Sequence, residues 1–302
     1  MYVHLGCNEL AAMAQGRWPS LSGHSFRFEE TSPLSRHTPG RNGGHYTTNG
    51  LDKGGNAIVY KCVERLRRDE WAIKIQVETG RKRIKRFARE VRLLEHSQHD
   101  QLMRSKAAGD LEVELKGGNR VACPFVVMPI AELNLMQLRS RTAIPQEELI
   151  GQFRGLSAAL SELHQSAIHR DIKPENILIR GTAWILSDFG LCKFIESGDD
   201  DVDLTMGEEK VGPIYWMSPE SMNRTLGRGD QITKASDVFQ LAAVFWFAAT
   251  GRHPTGIVSR NDWHGPDSLY EILSLALSHS PSMRPKDGTE FHQMIEDAVL
   301  HP

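Results

Sequence analysis

The sequence lacks several features that would assign it to a common class of protein. Its four cysteines are widely spaced and form no C-x-x-C pair, which argues against a disulfide framework or a zinc site and favours a reducing, cytoplasmic compartment. No apolar run is long enough to span a bilayer, and the N-terminus lacks the pattern of a secretory signal. The net charge of −2 provides no overall positive field, so neither nucleic acid nor a membrane surface is an expected partner.

The composition of the chain is that of an ordinary globular protein. Of its 302 residues, 40% are hydrophobic and 25% are charged, which allows one large domain or two lobes. Residues 1–45 show no sustained periodicity and are expected to be a flexible tail, although Phe26–Glu29 alternates as a short strand does. The regular patterns begin near residue 46.

The stretch His169–Asn176 carries an acid, a base and an amide on a predicted loop just before an apolar strand. Asp171 can accept a proton from an attacking hydroxyl group, and Lys173 can place positive charge near a phosphoryl group. Asn176 has a carbonyl oxygen, which is a suitable hard ligand for Mg²⁺. Asp188, twelve residues after Asn176, adds a second oxygen ligand. This combination predicts phosphoryl transfer.

A glycine-containing turn and a lysine-bearing strand precede this loop. Residues 46–61 are typical of a strand, a turn and a second strand, and Gly54 and Gly55 allow backbone N–H groups to approach phosphate oxygens. The turn alone is more typical of an ordinary β-hairpin. Lys74 ends the run Trp-Ala-Ile-Lys, and Glu90 lies on the helix predicted next, where it is the candidate partner of Lys74.

Further elements follow from the hydrophobic periodicity. Strands are predicted over residues 111–115, 121–128 and 184–186, and helices over residues 83–95, 146–165, 236–250, 268–278 and 290–300. Asp237 lies near the start of the helix over 236–250 and is predicted to cap it. In the connection 129–131, Pro129 keeps a backbone acceptor and Ala131 a backbone donor, which together suit the edge of an adenine ring.

These motifs together resemble the eukaryotic-type (Hanks-type) serine/threonine protein kinase family from about residue 46 to the C-terminus. The residues that occur in the order of that family are Lys74, Glu90, Asp171, Asn176, Asp188, Glu220, Asp237 and Arg284. The resemblance implies an α+β, two-lobed kinase domain over residues 46–302. The parts that it implies are a small β-rich N-lobe over about 46–128, a hinge at 129–131 and a larger helical C-lobe over 132–302.

The resemblance also implies ATP and Mg²⁺ as cofactors, with ATP in the cleft between the lobes. The implied catalytic residues are Asp171, Lys173, Lys74 and Glu90, and the implied metal ligands are Asn176 and Asp188. The implied ATP-binding residues are Leu51, Gly54, Gly55, Val59, Ala72, Lys74, Met128, Pro129, Ala131 and Leu178. Glu220 matches the buried partner of Arg284 in the family, and His169 matches a structural core histidine.

The function that this resemblance implies is transfer of the γ-phosphate of ATP to serine or threonine hydroxyls of protein substrates, including autophosphorylation. One alternative is a pseudokinase that acts as a binding or scaffold module. Another is a small-molecule kinase, which the segment ending in Ser218-Pro219-Glu220 and the presence of Arg284 disfavour. The sequence leaves the oligomeric state open.

Two departures from the family pattern concern the segment before Ser218. Pro213 stands where serine/threonine kinases usually carry a threonine, whose hydroxyl normally bonds the catalytic Asp and Lys, and proline has no such hydroxyl. Arg170 matches an arginine that often pairs with a phosphate in this segment. Either Glu209 replaces that phosphate, or Thr205 is phosphorylated, and the sequence supports both alternatives equally.

Overall fold

The chain divides into two compact units, a β-rich unit (residues 1–96 and 103–130) and a helical unit (residues 97–102 and 131–302). The residues described by the computed structural model are 20–21, 24–33, 57–64, 67, 69–76, 80–114, 120–195, 214–256 and 258–300. The predicted α+β fold, with a small β-rich part and a larger helical part, is confirmed. The division falls within the predicted connection 129–131.

An antiparallel sheet of six strands forms the β-rich unit. The strands are β1 (Ser20–Leu21), β2 (His24–Pro33), β3 (Ala57–Glu64), β4 (Glu70–Gln76), β5 (Ala107–Glu114) and β6 (Arg120–Pro129). Their order in the sheet is β1-β2-β3-β4-β6-β5. The strand β2 pairs with β3 and includes the alternating stretch Phe26–Glu29, so the structure differs here from the expected flexible tail. Alternation of apolar and charged residues suits a strand better than a tail.

One helix, α1 (Arg81–His96), belongs to the β-rich unit and contacts β6. Its buried side includes Phe87, Glu90 and Leu94, which follow one another at spacings of three and four and therefore lie on one face. Val91, four residues after Phe87, is only half-buried. A glutamate on the buried face of a helix requires a partner, because an unpaired buried carboxylate is costly.

The helical unit contains short strands and six helices within its described residues. The helices are α2 (Leu135–Arg141), α3 (Gln146–Leu163), α4 (Pro219–Thr225), α5 (Lys234–Thr250), α6 (Asp267–Ala276) and α7 (Gly288–Leu300). The short strands are β7 (Leu133–Asn134), β8 (Ala167–Ile168), β9 (Ile177–Arg180), β10 (Ala183–Leu186) and β11 (Lys193–Phe194). Across the described part of the chain, none of the helices is both long and apolar enough to cross a membrane.

Helix α5 forms the centre of the helical unit, because it is apolar around most of its circumference. The ring of Phe245 in α5 stacks on Phe153 of α3 at 3.9 Å and on Phe291 of α7 at 6.0 Å. The helices predicted over 146–165, 236–250, 268–278 and 290–300 are confirmed, with ends displaced by one or two residues. This core gives the loops before and after it a rigid support.

The prediction that Asp237 caps α5 is wrong. The helix begins after Thr233, and the backbone N–H of Thr233 donates to Ser236 Oγ over 3.0 Å. Asp237 is completely buried and instead accepts hydrogen bonds from the backbone N–H groups of His169 (2.6 Å) and Arg170 (2.8 Å). Its partners are about 70 residues away in sequence, so no local pattern identifies them.

The approach of α7 to α3 yields a stability prediction from two glycines. A Cβ atom at Gly288 would lie 2.6 Å from backbone atoms of Leu160 and Ser161, whereas a Cβ at Gly151 would meet nothing within 4 Å. We therefore expect Gly288→Ala to destabilise the protein by about 1–3 kcal/mol, since α7 must move away from α3. Gly151→Ala should stabilise it by about 0.5–1 kcal/mol. Thermal unfolding followed by circular dichroism measures both, and shifts of the same sign would contradict the predicted close contact.

Candidate active site

In the β-rich unit, a lysine of β4 and a glutamate of α1 form an ion pair. Lys74 Nζ donates to Glu90 Oε1 over 2.6 Å, and Glu90 is only 4% exposed. Lys74 alternates along β4 with Ile73 and Ile75, which are fully buried, so its side chain lies on the other face of the strand. The predicted pairing of Lys74 with Glu90 is present, and it places an ammonium group at a defined position on this face.

Three residues predicted to bind adenine share the sheet face of Lys74. Val59 of β3 pairs directly with Lys74, and Met128 of β6 pairs directly with Ala72. Directly paired residues project to the same face, and so do residues two apart in one strand. Val59, Ala72 and Met128 therefore form an apolar surface around the lysine. The predicted residues Leu51, Gly54 and Gly55 lie outside the described residues.

The two predicted metal ligands come together at one end of a hairpin in the helical unit. Asn176 directly precedes β9, and Ser187 is the one residue between the end of β10 and Asp188. The two strands pair so that Ile177 lies opposite Leu186. The backbone N–H and the hydroxyl group of Ser187 both donate to the backbone oxygen of Asn176 over 2.9 Å. Antiparallel pairing thus brings Asn176 and Asp188, twelve residues apart, to the same edge.

Asp171 has two hydrogen-bond donors in its own loop. Lys173 Nζ donates to Asp171 Oδ2 over 2.6 Å, and Asn176 Nδ2 donates to the same oxygen over 3.0 Å and to the Asp171 backbone oxygen over 2.8 Å. Burial raises the pKa of Asp171 above its ordinary value, Lys173 opposes this effect, and Asp188 adds to it. A carboxylate with a raised pKa is a better proton acceptor than an exposed aspartate.

The backbone of this loop is held from α5. Asp237 accepts the backbone N–H groups of His169 and Arg170, and its Oδ2 is 3.0 Å from His164 Nε2. Arg170 has a φ of 72°, which is unfavourable for a residue with a side chain. Such a conformation persists only where its surroundings stabilise it, and the paired hydrogen bonds to Asp237 provide that stabilisation.

His169 connects the loop of Asp171 to the segment of Asp188. Its ring is fully buried, its Nδ1 accepts from the Asp171 backbone N–H (3.3 Å), and its Nε2 lies 3.2 Å from the Ser187 backbone oxygen. A neutral ring with its proton on Nε2 satisfies both contacts, and burial lowers the pKa of His169. The ring of Phe189 packs edge-on against His169 at 5.5 Å. The histidine is therefore a core residue, as expected.

The predicted pair between Glu220 and Arg284 is present and buried. Arg284 donates through Nη1 to Glu220 Oε1 (2.8 Å) and through Nη2 to Oε2 (3.0 Å), and Nη1 also contacts the Ala235 backbone oxygen at 3.2 Å. Burial opposes ionisation of Glu220, but hydrogen bonds from Arg284 and Ser236 outweigh burial and lower its pKa. This pair holds the start of α4 in place. Helix α4 follows the segment that contains Pro213.

The predicted site residues thus fall into one set in each unit. The set in the β-rich unit contains Val59, Ala72, Lys74, Glu90, Met128 and Pro129, and the set in the helical unit contains Ala131, Asp171, Lys173, Asn176, Leu178 and Asp188. The sequence patterns do not indicate Ser187, which holds the backbone oxygen of Asn176, or Gln240, which holds the backbone N–H of Ile172 next to Asp171. Their only sequence signal is a polar residue within an apolar stretch. Thr205, Glu209 and Pro213 lie outside the described residues.

Comparison with known proteins assigns the family of the chain. A family model for the Protein kinase domain matches residues 47–299. The chain therefore belongs to the protein kinase domain family, and the resemblance to eukaryotic-type serine/threonine protein kinases is confirmed.

Three curated relatives illustrate this similarity. The Serine/threonine-protein kinases drp72 of Corynebacterium efficiens is 28% identical over 269 residues, covering 82% of this chain and 49% of that protein. Serine/threonine-protein kinase AfsK of Streptomyces coelicolor is 28% identical over 261 residues, covering 83% of this chain and 29% of AfsK. Human serine/threonine-protein kinase/endoribonuclease IRE2 is 37% identical over 142 residues, covering 45% of this chain and 14% of IRE2. The chain spans half or less of the length of these relatives.

Proposed function

We propose that this chain is an ATP-dependent protein kinase that transfers the γ-phosphate of ATP to serine or threonine hydroxyls of protein substrates, including its own. The observation that supports this most directly is the hydrogen-bonded set of Asp171, Lys173 and Asn176, whose backbone oxygen accepts from Ser187, the residue before Asp188. A proton acceptor, a cation and two oxygen ligands meet the main requirement of phosphoryl transfer, which is positioning and electrostatic stabilisation.

Asp171 orients the acceptor hydroxyl and takes its proton as the new P–O bond forms, while the bond from the γ-phosphorus to the bridging oxygen breaks and ADP leaves. Lys173, 2.6 Å from the Asp171 carboxylate, places its charge where the transferred phosphoryl group arrives. Burial raises the pKa of Asp171, and the charge and hydrogen bond of Lys173 oppose this rise and favour the ionised carboxylate. Both groups act from one loop, so their relative position does not depend on substrate binding.

The pair Asn176 and Asp188 fits a Mg²⁺ ion. Mg²⁺ prefers oxygen ligands and is usually bound through one or two protein side chains together with substrate phosphates. The Asn176 amide nitrogen donates to Asp171, which leaves the amide oxygen as its ligand atom, and Asp188 adds a carboxylate on an exposed residue. When bound, Mg²⁺ supplies positive charge that offsets the charge of the phosphates.

In the β-rich unit, Lys74 orients the α- and β-phosphates of ATP, and Glu90 holds the ammonium group in place. Val59, Ala72 and Met128 provide the apolar surface that an adenine ring requires. Leu178 is a further adenine contact that the resemblance to the family implies. The Pro129 carbonyl oxygen and the Ala131 N–H group are the backbone acceptor and donor for the adenine edge. The glycines at 54 and 55 cover the phosphates.

Proteins are the proposed substrate class, because the buried pair of Glu220 and Arg284 supports the segment that faces a peptide in this family. The position of Lys173 favours serine and threonine over tyrosine as acceptors. A cytoplasmic location is proposed because the described cysteines, Cys62, Cys123 and Cys192, are buried and form no disulfide.

A transfer assay tests the proposed function. Purified protein is incubated with γ-labelled ATP, Mg²⁺ and a generic serine/threonine acceptor protein, and the labelled residues are mapped. We expect label on serine and threonine of the acceptor and of the chain itself. Stabilisation by Mg-ATP in a thermal shift assay without any transfer would instead identify a pseudokinase.

The ion pair in the β-rich unit yields a second prediction. Replacing Lys74 by Met removes the charge that orients the phosphates and leaves Glu90 buried without this partner. We expect kcat/KM for ATP to fall on the order of 100-fold, which is typical when one preorganised charge is lost. Steady-state kinetics at varied ATP concentration measure this effect.

The matched control for this prediction is Lys82→Met, which removes the same charge from an exposed position on α1. This variant should keep kcat/KM for ATP within about twofold of the wild type, since exposed charges interact weakly. An equal loss in both variants would show that net charge, and not the pairing of Lys74 with Glu90, governs ATP use.

A further inference from the structure

A buried glutamine on α5 joins two segments of the helical unit that are far apart in sequence. Gln240 is 2% exposed, its Oε1 accepts the backbone N–H of Ile172 over 3.2 Å, and its Nε2 donates to the backbone oxygen of Trp216 over 3.2 Å. Ile172 directly follows Asp171 in the loop. Trp216 lies in the segment that leads to Ser218-Pro219-Glu220. One amide therefore links the loop of Asp171 to this segment.

The two contacts determine the orientation of the amide. A reversed amide would place its NH₂ group against the N–H of Ile172 and its oxygen against the oxygen of Trp216, and both contacts would be repulsive. Only the observed orientation satisfies both backbone groups. Ile172 is fully buried and Trp216 is 5% exposed, so water does not replace these hydrogen bonds at low cost.

The presence of a polar side chain at position 240, within an apolar helix, requires a physical explanation. Helix α5 is apolar on almost every side, and methionine, which has a similar length and volume, would fill the position of Gln240 without a polar group to satisfy. Burying an amide is favourable only when its hydrogen bonds are made. The role of Gln240 is therefore to link Ile172 and Trp216 through hydrogen bonds, and not only to fill volume in the core.

The segment that Gln240 holds has one buried anchor beside an exposed residue. The ring of Trp216 packs edge-on against His253 at 4.5 Å and Phe247 at 5.5 Å, whereas the neighbouring Tyr215 is 76% exposed. The backbone position of Trp216 therefore determines where the exposed part of the segment lies. A peptide substrate would meet this exposed part.

The sequence of this segment departs from the family pattern at one position. Pro213, three residues before Trp216, stands where the family usually has a threonine whose hydroxyl bonds the catalytic Asp and Lys. A proline side chain donates no hydrogen bond.

We propose that Gln240 is a positioning residue that couples the loop of Asp171 to the substrate-facing segment, in place of the hydroxyl group that Pro213 lacks. The proposal rests on the proposed kinase function for its effect on turnover, while the connection itself is a property of the fold. Gln240 acts through the backbone of Ile172 and Trp216 and does not touch the reacting atoms. It keeps the Asp171 carboxylate in the position where it reaches the hydroxyl group of a bound peptide.

Gln240→Met tests this role by removing both hydrogen bonds while keeping the volume. We expect kcat/KM for the protein substrate to fall roughly 10- to 100-fold, since a misplacement of about 1 Å costs up to 100-fold. KM for ATP should stay within about twofold, because Gln240 contacts the peptide-side segment. Gln165→Met, at an exposed glutamine, is the matched control and should leave both constants unchanged.

Rescue by the residue that the family usually carries distinguishes positioning from a general loss of stability. In the double variant Pro213→Thr/Gln240→Met, the threonine hydroxyl restores a link between the segment and the loop. We expect it to recover most of the lost kcat/KM for the protein substrate. A Gln240→Met enzyme with wild-type turnover, or one that Pro213→Thr fails to rescue, would overturn the proposal.

A measurement independent of activity separates this proposal from the kinase function. Hydrogen exchange of the Ile172 amide, which donates to Gln240, should be faster in Gln240→Met than in the wild type, together with exchange in residues 214–218. If the wild type transfers no phosphate, the kinase proposal fails and exchange still decides whether Gln240 makes the connection. Unchanged exchange would refute the connection even in an active enzyme.

Discussion

Replacing Asp171 by Asn should abolish almost all phosphoryl transfer while the protein still binds nucleotide. The substitution keeps the size of the side chain and removes its capacity to accept a proton, and general base catalysis contributes about 10²- to 10⁴-fold. Single-turnover transfer from labelled ATP measures the loss, and a thermal shift with Mg-ATP measures binding. The loss should appear in kcat and kcat/KM together, since the interaction is made in the transition state.

The matched control is Asp262→Asn, the same substitution at an exposed residue of a surface turn. It should leave transfer and nucleotide binding within about twofold of the wild type. If Asp171→Asn retained strong turnover, Asp171 would not be the base. If it lost the response to Mg-ATP as well, its role would be in binding and not in proton transfer.

The largest effect on stability is expected from Glu220→Gln. Arg284 is buried against Glu220 with two parallel hydrogen bonds, and its Cζ lies 4.8 Å from the centre of the Phe239 ring. Removing one partner of a buried pair leaves an uncompensated charge and costs about 3–5 kcal/mol. The melting temperature should fall by roughly 10 °C, as measured by calorimetry or circular dichroism.

The pH dependence of this loss follows from the direction of the Glu220 pKa. Its pKa in the folded protein lies below the ordinary value of 4.5. The unfolded state therefore binds a proton first as the pH falls, and the stability from the pair is full above that value and decreases below it. The difference in stability between wild type and Glu220→Gln should shrink as the pH falls below about 4.5.

An exposed pair with the same chemistry provides the control. Arg154 of α3 donates to Glu296 of α7 through two hydrogen bonds of 2.6 and 2.7 Å, with 45% and 23% of the two side chains exposed. Glu296→Gln should cost less than about 1 kcal/mol, because water screens the pair. Equal losses in Glu220→Gln and Glu296→Gln would refute the claim that burial makes the Glu220 pair important.

Many of the elements of this protein could be predicted from its sequence. The helices predicted over residues 83–95 and 236–250 and the strand predicted over 121–128 rest on local patterns, and the structure contains each of them as α1, α5 and β6. The loop His169–Asn176 could be recognised because its chemical groups lie within eight residues. Local periodicity reflects which face is buried, and that information lies in neighbouring residues.

The role of Asp237 is an example of a contact that local sequence patterns do not predict. A carboxylate near the start of a helix is typical of a cap, and only the folded chain brings the N–H groups of His169 and Arg170 to it. The same is true of Gln240, whose partners lie 68 and 24 residues away. A polar residue in an apolar helix has no local partner that could reveal its purpose.

By itself, the sequence determined the family, the five longest helices, and the set of groups that phosphoryl transfer requires. The tertiary structure decided how those groups are held in position by hydrogen bonds. Ser187 bonds the backbone of Asn176, Asp237 bonds the strained backbone of Arg170, and Gln240 bonds the backbones of Ile172 and Trp216. The physical reason is that a chemical group is encoded by one residue. Its position depends on hydrogen bonds between segments that meet only after the chain has folded.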